Sequence, residues 1–244
     1  MIPFAVGAVL MQSLVTAPVP FAVGERYEYS PYYSLSPFGS VGTVSMSVTG
    51  VDTVRGVPSW HFTFLTNLSA LGLYKANSRL ESWVGVKDFT SRRFVHFVNE
   101  NGKQYSDEDI QIHADSGYFR NRTDTIIKGV PQDALDDLSF IYHIRTLDYK
   151  DGASFKLYRY FRKDHNPVEV TVLKRDTLDM PDGSRRRCWV VRLVLDDGGM
   201  FSRKSNAKVW LSDDGIRIPM QIQSDLASGP GHVTLKLKKI SHAP

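Results

Sequence analysis

The sequence predicts a mainly β protein: a curved antiparallel sheet or open β-barrel with one buried α-helix, about residues 133–147, packed against it. Three observations carry this expectation. Apolar and polar residues alternate with period two over most of the chain, the pattern of half-buried antiparallel strands. Short turn signals separate these segments, whereas a parallel sheet would need a crossover helix between successive strands. One stretch breaks the pattern, ALDDLSFIYHIRTL at 134–147, which is apolar around most of a helical turn.

The first 22 residues, MIPFAVGAVLMQSLVTAPVPFA, carry no charged side chain and include an apolar run of signal-peptide length. They are expected to form a signal peptide or an N-terminal membrane anchor, with 23–244 as a single β-rich domain outside the cytoplasm. No Lys or Arg precedes the run. The cleavage motifs are V-T-A at 15–17, followed by Pro18, and A-V-G at 22–24, at the edge of the first strand. The uninterrupted apolar stretch is shorter than the roughly 20 residues of a spanning helix.

Strands follow in order. Val44, Met46 and Val48 alternate with Ser45, Ser47 and Thr49; Trp60, Phe62 and Phe64 alternate with His61 and Thr63. Val168, Val170 and Val172 repeat the pattern, and Val233, Leu235 and Leu237 alternate with Thr234, Lys236 and Lys238. Each such segment is expected to have one dry and one wet face. Arg55-Gly56, Asn101-Gly102, Ser116-Gly117, Asp182-Gly183, Gly198-Gly199 and Asp214-Gly215 supply turn chemistry suited to hairpins, because Gly and Asn tolerate positive φ. Gly129-Val130-Pro131 is the one seam in the pattern, and DLASGPGH at 225–232 reads as a loop before the final strand.

In the helix, Asp133 is the expected N-cap, with Asp136 and Asp137 in the first turn where the helix dipole favours negative charge. Asp136, Ser139, His143 and Thr146 share one narrow polar arc, and Leu135, Leu138, Phe140, Ile141, Tyr142, Ile144 and Leu147 fill the rest. Arg145 projects between Leu138 and Ile141. Two roles are open to it: its stem covers apolar surface while the guanidinium snorkels or pairs with a strand carboxylate, or it stands at a cavity mouth and engages an anionic head group.

The net charge of +4 is uneven. Residues 1–137 hold 11 Lys/Arg against 14 Asp/Glu, and residues 138–244 hold 19 against 12. The basic residues of the second half alternate with core residues, as on the solvent face of strands, and RRR at 185–187 flanks a turn; no nucleic-acid partner is expected. Cys188, the one cysteine, reads as a small buried hydrophobe in a strand. Tyr27, Tyr29, Tyr32 and Tyr33 read as wall residues of the first strand. No HExxH, GxSxG, phosphate-binding Gly loop, EF-hand or zinc Cys pattern occurs, so no catalytic residue, metal ligand or cofactor is expected.

The stretches PFAVGERYEYSPYYS, GSVGTVSMSV, SRLESWV, LDDLSFIYHIRTL and WLSDDGIRIPMQIQSDLASGPGHVTLKLKKI, taken in this order, resemble the bacterial domain-of-unknown-function family 3108 from about Phe21 to the C-terminus. The resemblance implies an exported envelope protein without an assigned activity, folded like the open β-barrel with internal helix of the LolA/LolB lipoprotein carriers. In such folds the curved sheet wraps an apolar cavity that holds acyl chains. The family motif covers Leu135, Asp137, Leu138, Ser139, Tyr142 and Arg145.

These readings lead to a non-enzymatic cell-envelope protein, periplasmic or associated with the outer membrane. It is expected to bind or carry a lipid or another apolar molecule between sheet and helix, through Leu138, Ile141, Tyr142 and Arg145. The alternative is a structural or accessory subunit of a membrane-associated complex with an envelope protein partner and no small-molecule ligand. A third possibility, an envelope hydrolase, needs a cleft in which His61, His96 or His143 meets a nucleophile.

Overall fold

Period-two patterning builds fourteen strands in the computed structural model, which describes residues 19–34, 42–70, 74–161, 166–195, 205–225 and 231–241. The N-terminal half contributes β1 (Arg26–Tyr33), β2 (Gly42–Val54), β3 (Val57–Ala70), β4 (Tyr74–Gly85), β5 (Ser91–Glu100), β6 (Lys103–His113), β7 (Tyr118–Arg120) and β8 (Ile126–Lys128). After α1 (Asp137–Ile144) come β9 (Ser154–Leu157), β10 (Val168–Asp179), β11 (Arg185–Leu195), β12 (Ser205–Ser212), β13 (Pro219–Asp225) and β14 (His232–Ser241). All of them join one sheet in the order β8-β7-β6-β5-β4-β3-β2-β1-β14-β13-β12-β11-β10-β9. Every pairing is antiparallel, and the sheet does not close into a barrel.

This order gives the helix its place. The chain meanders outward from β1 to the edge at β8, crosses through the segment holding α1, and resumes at the opposite edge, β9. It then meanders back until β14 pairs with β1, Arg26 lying opposite Ser241. Across the opening, the backbone of Ala134–Leu135 ties the two halves together. Ser91 N–H donates to Ala134 O (3.0 Å) on one side; Leu135 N–H donates to Tyr158 O (2.8 Å) and Tyr160 N–H to Leu135 O (3.0 Å) on the other.

Inward-facing side chains from both halves form one apolar core with the helix. Tyr27, Tyr29, Met46, Phe62, Leu80, Phe94 and Ile112 come from one half, and Val170, Val191, Leu193, Val209 and Ile222 from the other. Register explains the continuity, since Val170 lies opposite Leu193 and Val191 opposite Val209, which in turn faces Ile222. The helix leans on β3 and β4.

The outer face is less wet than alternation predicts. Ser45 and Ser47 are buried, because Glu28 and Arg26 lie opposite them and the Arg26 guanidinium reaches within 3.5 Å of Ser47 Oγ. Thr234 is buried between its partners Tyr32 and Gln223, while Val233 and Leu235 are half-buried.

Arg55-Gly56 and Asn101-Gly102 form two-residue hairpin turns with positive φ at both positions (46° and 78°; 49° and 82°), the geometry that suits the strand twist. Asp182-Gly183 joins β10 to β11, and Ser116-Gly117 closes a 3-10 turn between β6 and β7. Asp214-Gly215 is not a tight turn. The β12–β13 connection runs over 213–218, with the Asp214 carboxylate accepting from the N–H of Ile216 and Arg217 and the positive φ falling on Arg217 (50°). Of DLASGPGH, Asp225 and His232 pair as the ends of β13 and β14, and residues 226–230 lie outside the described residues. Gly198-Gly199 lies outside the described residues.

The helix is shorter than its apolar pattern, Asp137–Ile144 rather than 133–147, and its N-cap is Asp136, not Asp133. Residues 134 and 135 are extended because they bridge the sheet opening, so helical geometry cannot begin before Asp136. Asp136 and Ser139, on the narrow polar arc, are fully buried. Cys188 is buried in β11 as expected, and burial pushes its thiol up to about 12.

Candidate functional site

The four residues singled out in the helix, Leu138, Ile141, Tyr142 and Arg145, all lie in the interior with no exposed surface. Tyr142 stacks on Phe62 of β3 (ring centroids 3.8 Å, planes 9° apart) and meets Phe21 edge-on at 5.5 Å. Phe21, on the N-terminal side of the expected domain boundary, also packs edge-on against Trp60 and Phe62. The helix, β3 and the segment before β1 thereby share one aromatic cluster.

Arg145 is the helix C-cap, and its positive charge complements the dipole there. It does not snorkel. Nη1 donates to Glu25 Oε1 (2.6 Å), and Nη2 donates to Glu25 Oε2 (3.1 Å), Pro20 O (2.7 Å) and Ile216 O (3.2 Å), with Tyr27 Oη at 3.3 Å. The guanidinium carbon sits 5.4–5.6 Å from the ring centres of Phe21, Tyr27 and Tyr142. Burial lowers the Arg145 pKa, and the Glu25 hydrogen bonds and charge outweigh it, so the group stays cationic with its pKa raised. Burial drives the hydroxyls of Tyr27, Tyr29 and Tyr142 upward, keeping them neutral. Tyr29 Oη donates to Pro219 O (2.9 Å), whereas the Tyr142 hydroxyl and Arg145 Nε have no hydrogen-bond partner among the described residues.

The other end of α1 is a buried acid network. Asp136 accepts at Oδ1 from the N–H of Leu138 (3.0 Å) and Ser139 (2.8 Å), and at Oδ2 from the hydroxyls of Ser82 (2.6 Å) and Ser91 (2.7 Å). Ser139 closes a capping box by accepting from Asp136 N–H at 2.8 Å. Burial dominates and pushes the Asp136 carboxyl up to about 6. Asp137, one residue on, is ion-paired with the buried Arg159, whose guanidinium lies over Phe161. A buried Arg–carboxylate pair therefore stands at each end of the helix.

Among the described residues His61, His96, His113 and His143 pair with carboxylates or rings rather than with these serines. His61 bridges Asp52 (3.2 Å) and Glu81 (2.9 Å) and stacks on Trp83. His96 approaches Glu108 at 3.9 Å, and burial lowers the pKa of both His96 and His143. Among the described residues no group of three or more His, Cys, Asp or Glu side chains is placed to hold a metal ion.

Sequence reasoning did not single out Glu25, Arg159, Ser82 or Ser91. Glu25 had a signal, since it falls inside the PFAVGERYEYS stretch that carries the family resemblance. Nothing in the spacing of Ser82 and Ser91 marks them, because their meeting with Asp136 is made by the register of β4 against β5.

Among the described residues, an open antiparallel sheet wrapped round one short helix, buried except at His143, defines a barrel-like class of protein. The chain belongs to the family of proteins of unknown function DUF3108, whose profile matches residues 26–238. No curated protein matches it. Among solved structures it is similar to the beta-barrel-like protein of domain of unknown function DUF1849 from Brucella abortus, with a TM-score of 0.59 and 11% identity over 91% of this chain and 98% of that one. A lipoprotein candidate from Parabacteroides distasonis aligns over 90% of this chain and 96% of its own at 11% identity, with a TM-score of 0.38. The first likeness establishes the fold alone.

Proposed function

We propose that this protein is a non-enzymatic component of the bacterial cell envelope that holds a lipid or another apolar molecule between its curved sheet and α1, with Leu138, Ile141, Tyr142 and Arg145 in contact with it. The observation that carries this reading is the continuous apolar inner face of a sheet that does not close. Leu138 and Ile141 add to that face, and apolar walls with a few polar groups are the ordinary design of a small-molecule site. A non-enzymatic role accords with the serines, whose hydroxyls are committed to Asp136 and to one another in the fully buried cap. The exported location rests on residues 1–22 and the family resemblance. Residues 1–18 lie outside the described residues, and no helix among the described ones is long and apolar enough to cross a membrane.

Native mass spectrometry and lipid extraction of protein purified from the bacterial envelope test the reading. A stoichiometric apolar molecule is the expected result. Protein that arrives empty and takes up no apolar dye would sink it.

A second reading, a structural or accessory subunit whose helix is a permanent core element, is favoured by one observation: both Nη atoms of Arg145 are already occupied by Glu25 and backbone carbonyls. Protein partners that co-purify with an empty interior would select it. Sequencing the mature N-terminus distinguishes a cleaved from an anchored form.

A further inference from the structure

β8 is an edge of the sheet, with β7 on one side and no described strand on the other. Its hydrogen bonds to β7 fix which backbone groups stay free. Asn121 N–H donates to Thr125 O (3.3 Å), Gly129 N–H donates to Gly117 O (2.8 Å), and Phe119 lies opposite Ile127 midway between them. Bonded and non-bonded pairs alternate along an antiparallel ladder, so Thr125, Ile127 and Gly129 aim their backbone groups at β7. Ile126 and Lys128 turn theirs outward, where no described residue meets them. The side chains carry a second, independent sign. Ile112 lies opposite Phe119 and Phe119 opposite Ile127, a row on the inner face whose first two members are buried in the core. Ile127 is 43% exposed, so this apolar row runs off the edge unfinished.

We propose that the missing neighbour is β8 of a second copy of this chain, paired antiparallel about a two-fold axis through Ile127. Ile126 of each copy then exchanges N–H···O=C bonds with Lys128 of the other. Ile127 meets its counterpart at the close non-bonded position, which carries the Phe119 row across the seam. The backbone selects this register. A slip of one residue sets free groups against groups already bound to β7. An axis through Lys128 opposes two cations and calls on the buried Val130. An axis through Ile126 calls on Asp124, whose left-handed backbone (φ 58°) ends the strand and whose N–H is donated to Asn121 O. Charge agrees with the axis at Ile127: Asp124 of one copy then lies on the diagonal from Lys128 of the other, and its own salt bridge to Arg120 is long (3.6 Å) and exposed. A strand of 3 residues buries little area, so the dimer is weak and exchanges with monomer. The pairing does not depend on what the interior holds.

Cross-linking of the full-length protein tests the axis directly. Cys188, the one native cysteine, is buried, so an introduced thiol reports alone. In Ile127→Cys the two sulfurs come within disulfide reach, and mild oxidation should give a covalent dimer on non-reducing gels. Ile126→Cys, on the other face of the strand and opposite Lys128, and Leu173→Cys, exposed on β10, should cross-link at least about tenfold less. In sedimentation velocity the wild type should dimerise with a dissociation constant on the order of 100 µM. Ile126→Pro removes only an N–H that its own sheet does not use, so melting temperature and circular dichroism should hold while self-association weakens about tenfold. Should that variant not fold, the cysteine series decides alone. Equal yield from all three cysteines, a wild type that stays monomeric at millimolar concentration, or a dimer indifferent to Ile126→Pro overturns the proposal. So do species growing beyond the dimer, which would mean β8 pairing with the β9 edge of the next copy.

Discussion

Arg145 and Glu25 are 120 residues apart in sequence and 2.6 Å apart in the fold. Removing one partner of such a pair leaves a charge in the core, so Arg145→Ala and Glu25→Ala should each cost about 3–5 kcal/mol, read as a drop in urea midpoint. The double change Arg145→Met with Glu25→Leu should recover most of that loss, because the cost lies in the unpaired charge rather than in the missing attraction. Asp136 gives a pH signature of the opposite kind. Burial raises its carboxyl from 3.8 to about 6, so protonation favours the native state. The stability it contributes is present below its unfolded pKa and is lost as the pH rises through the folded one. Relative to Asp136→Asn, the wild type should gain roughly 2 kcal/mol between about pH 7 and pH 4 in denaturation midpoints. Of these residues only Arg145 was legible as unusual from sequence, since a cation on an apolar helical arc is visible by projection. Its partner carried no signal beyond the family stretch it falls in, because a carboxylate before the first strand looks like any other until topology brings the two together.

At the scale of elements, period-two alternation foretold the strands, and the Asn-Gly and Arg-Gly pairs foretold two of the turns, because both signals are local. The helix was foretold in kind but not in extent. Its first residues satisfy the periodicity yet are held extended by hydrogen bonds to β5 and to the segment after β9, a tertiary demand that no local pattern carries. That bridge can be tested directly. Leu135→Pro removes the N–H that donates to Tyr158 O, and hydrogen exchange should show lost protection at Tyr160 with little change in the β2–β3 hairpin. Survival of that protection would mean that the opening is held by side chains alone.

At the scale of the whole molecule, the two meanders meet along β1 and β14 and part at β8 and β9, so the strands differ in what they support. Ending the chain at Gly231 strips β1 and β13 of a shared neighbour and should abolish cooperative unfolding by circular dichroism. The edge strand β8 is exposed along its length, and replacing Ile126 and Ile127 by Thr should move stability by less than about 0.5 kcal/mol while reducing aggregation of the purified protein. A smaller effect at the β1–β14 junction than at β8 would contradict this ranking.

The same junction sets a clock. Among the described strands β1 comes first in the chain and β14 last, so their pairing forms only after residues 232–241 have appeared, later than the Ala134–Leu135 bridge can form. At roughly 5–20 residues per second, synthesis of the 244-residue chain lasts on the order of 12–50 s. Until then β1 lacks its β14 neighbour, and the seam between the two meanders stays open.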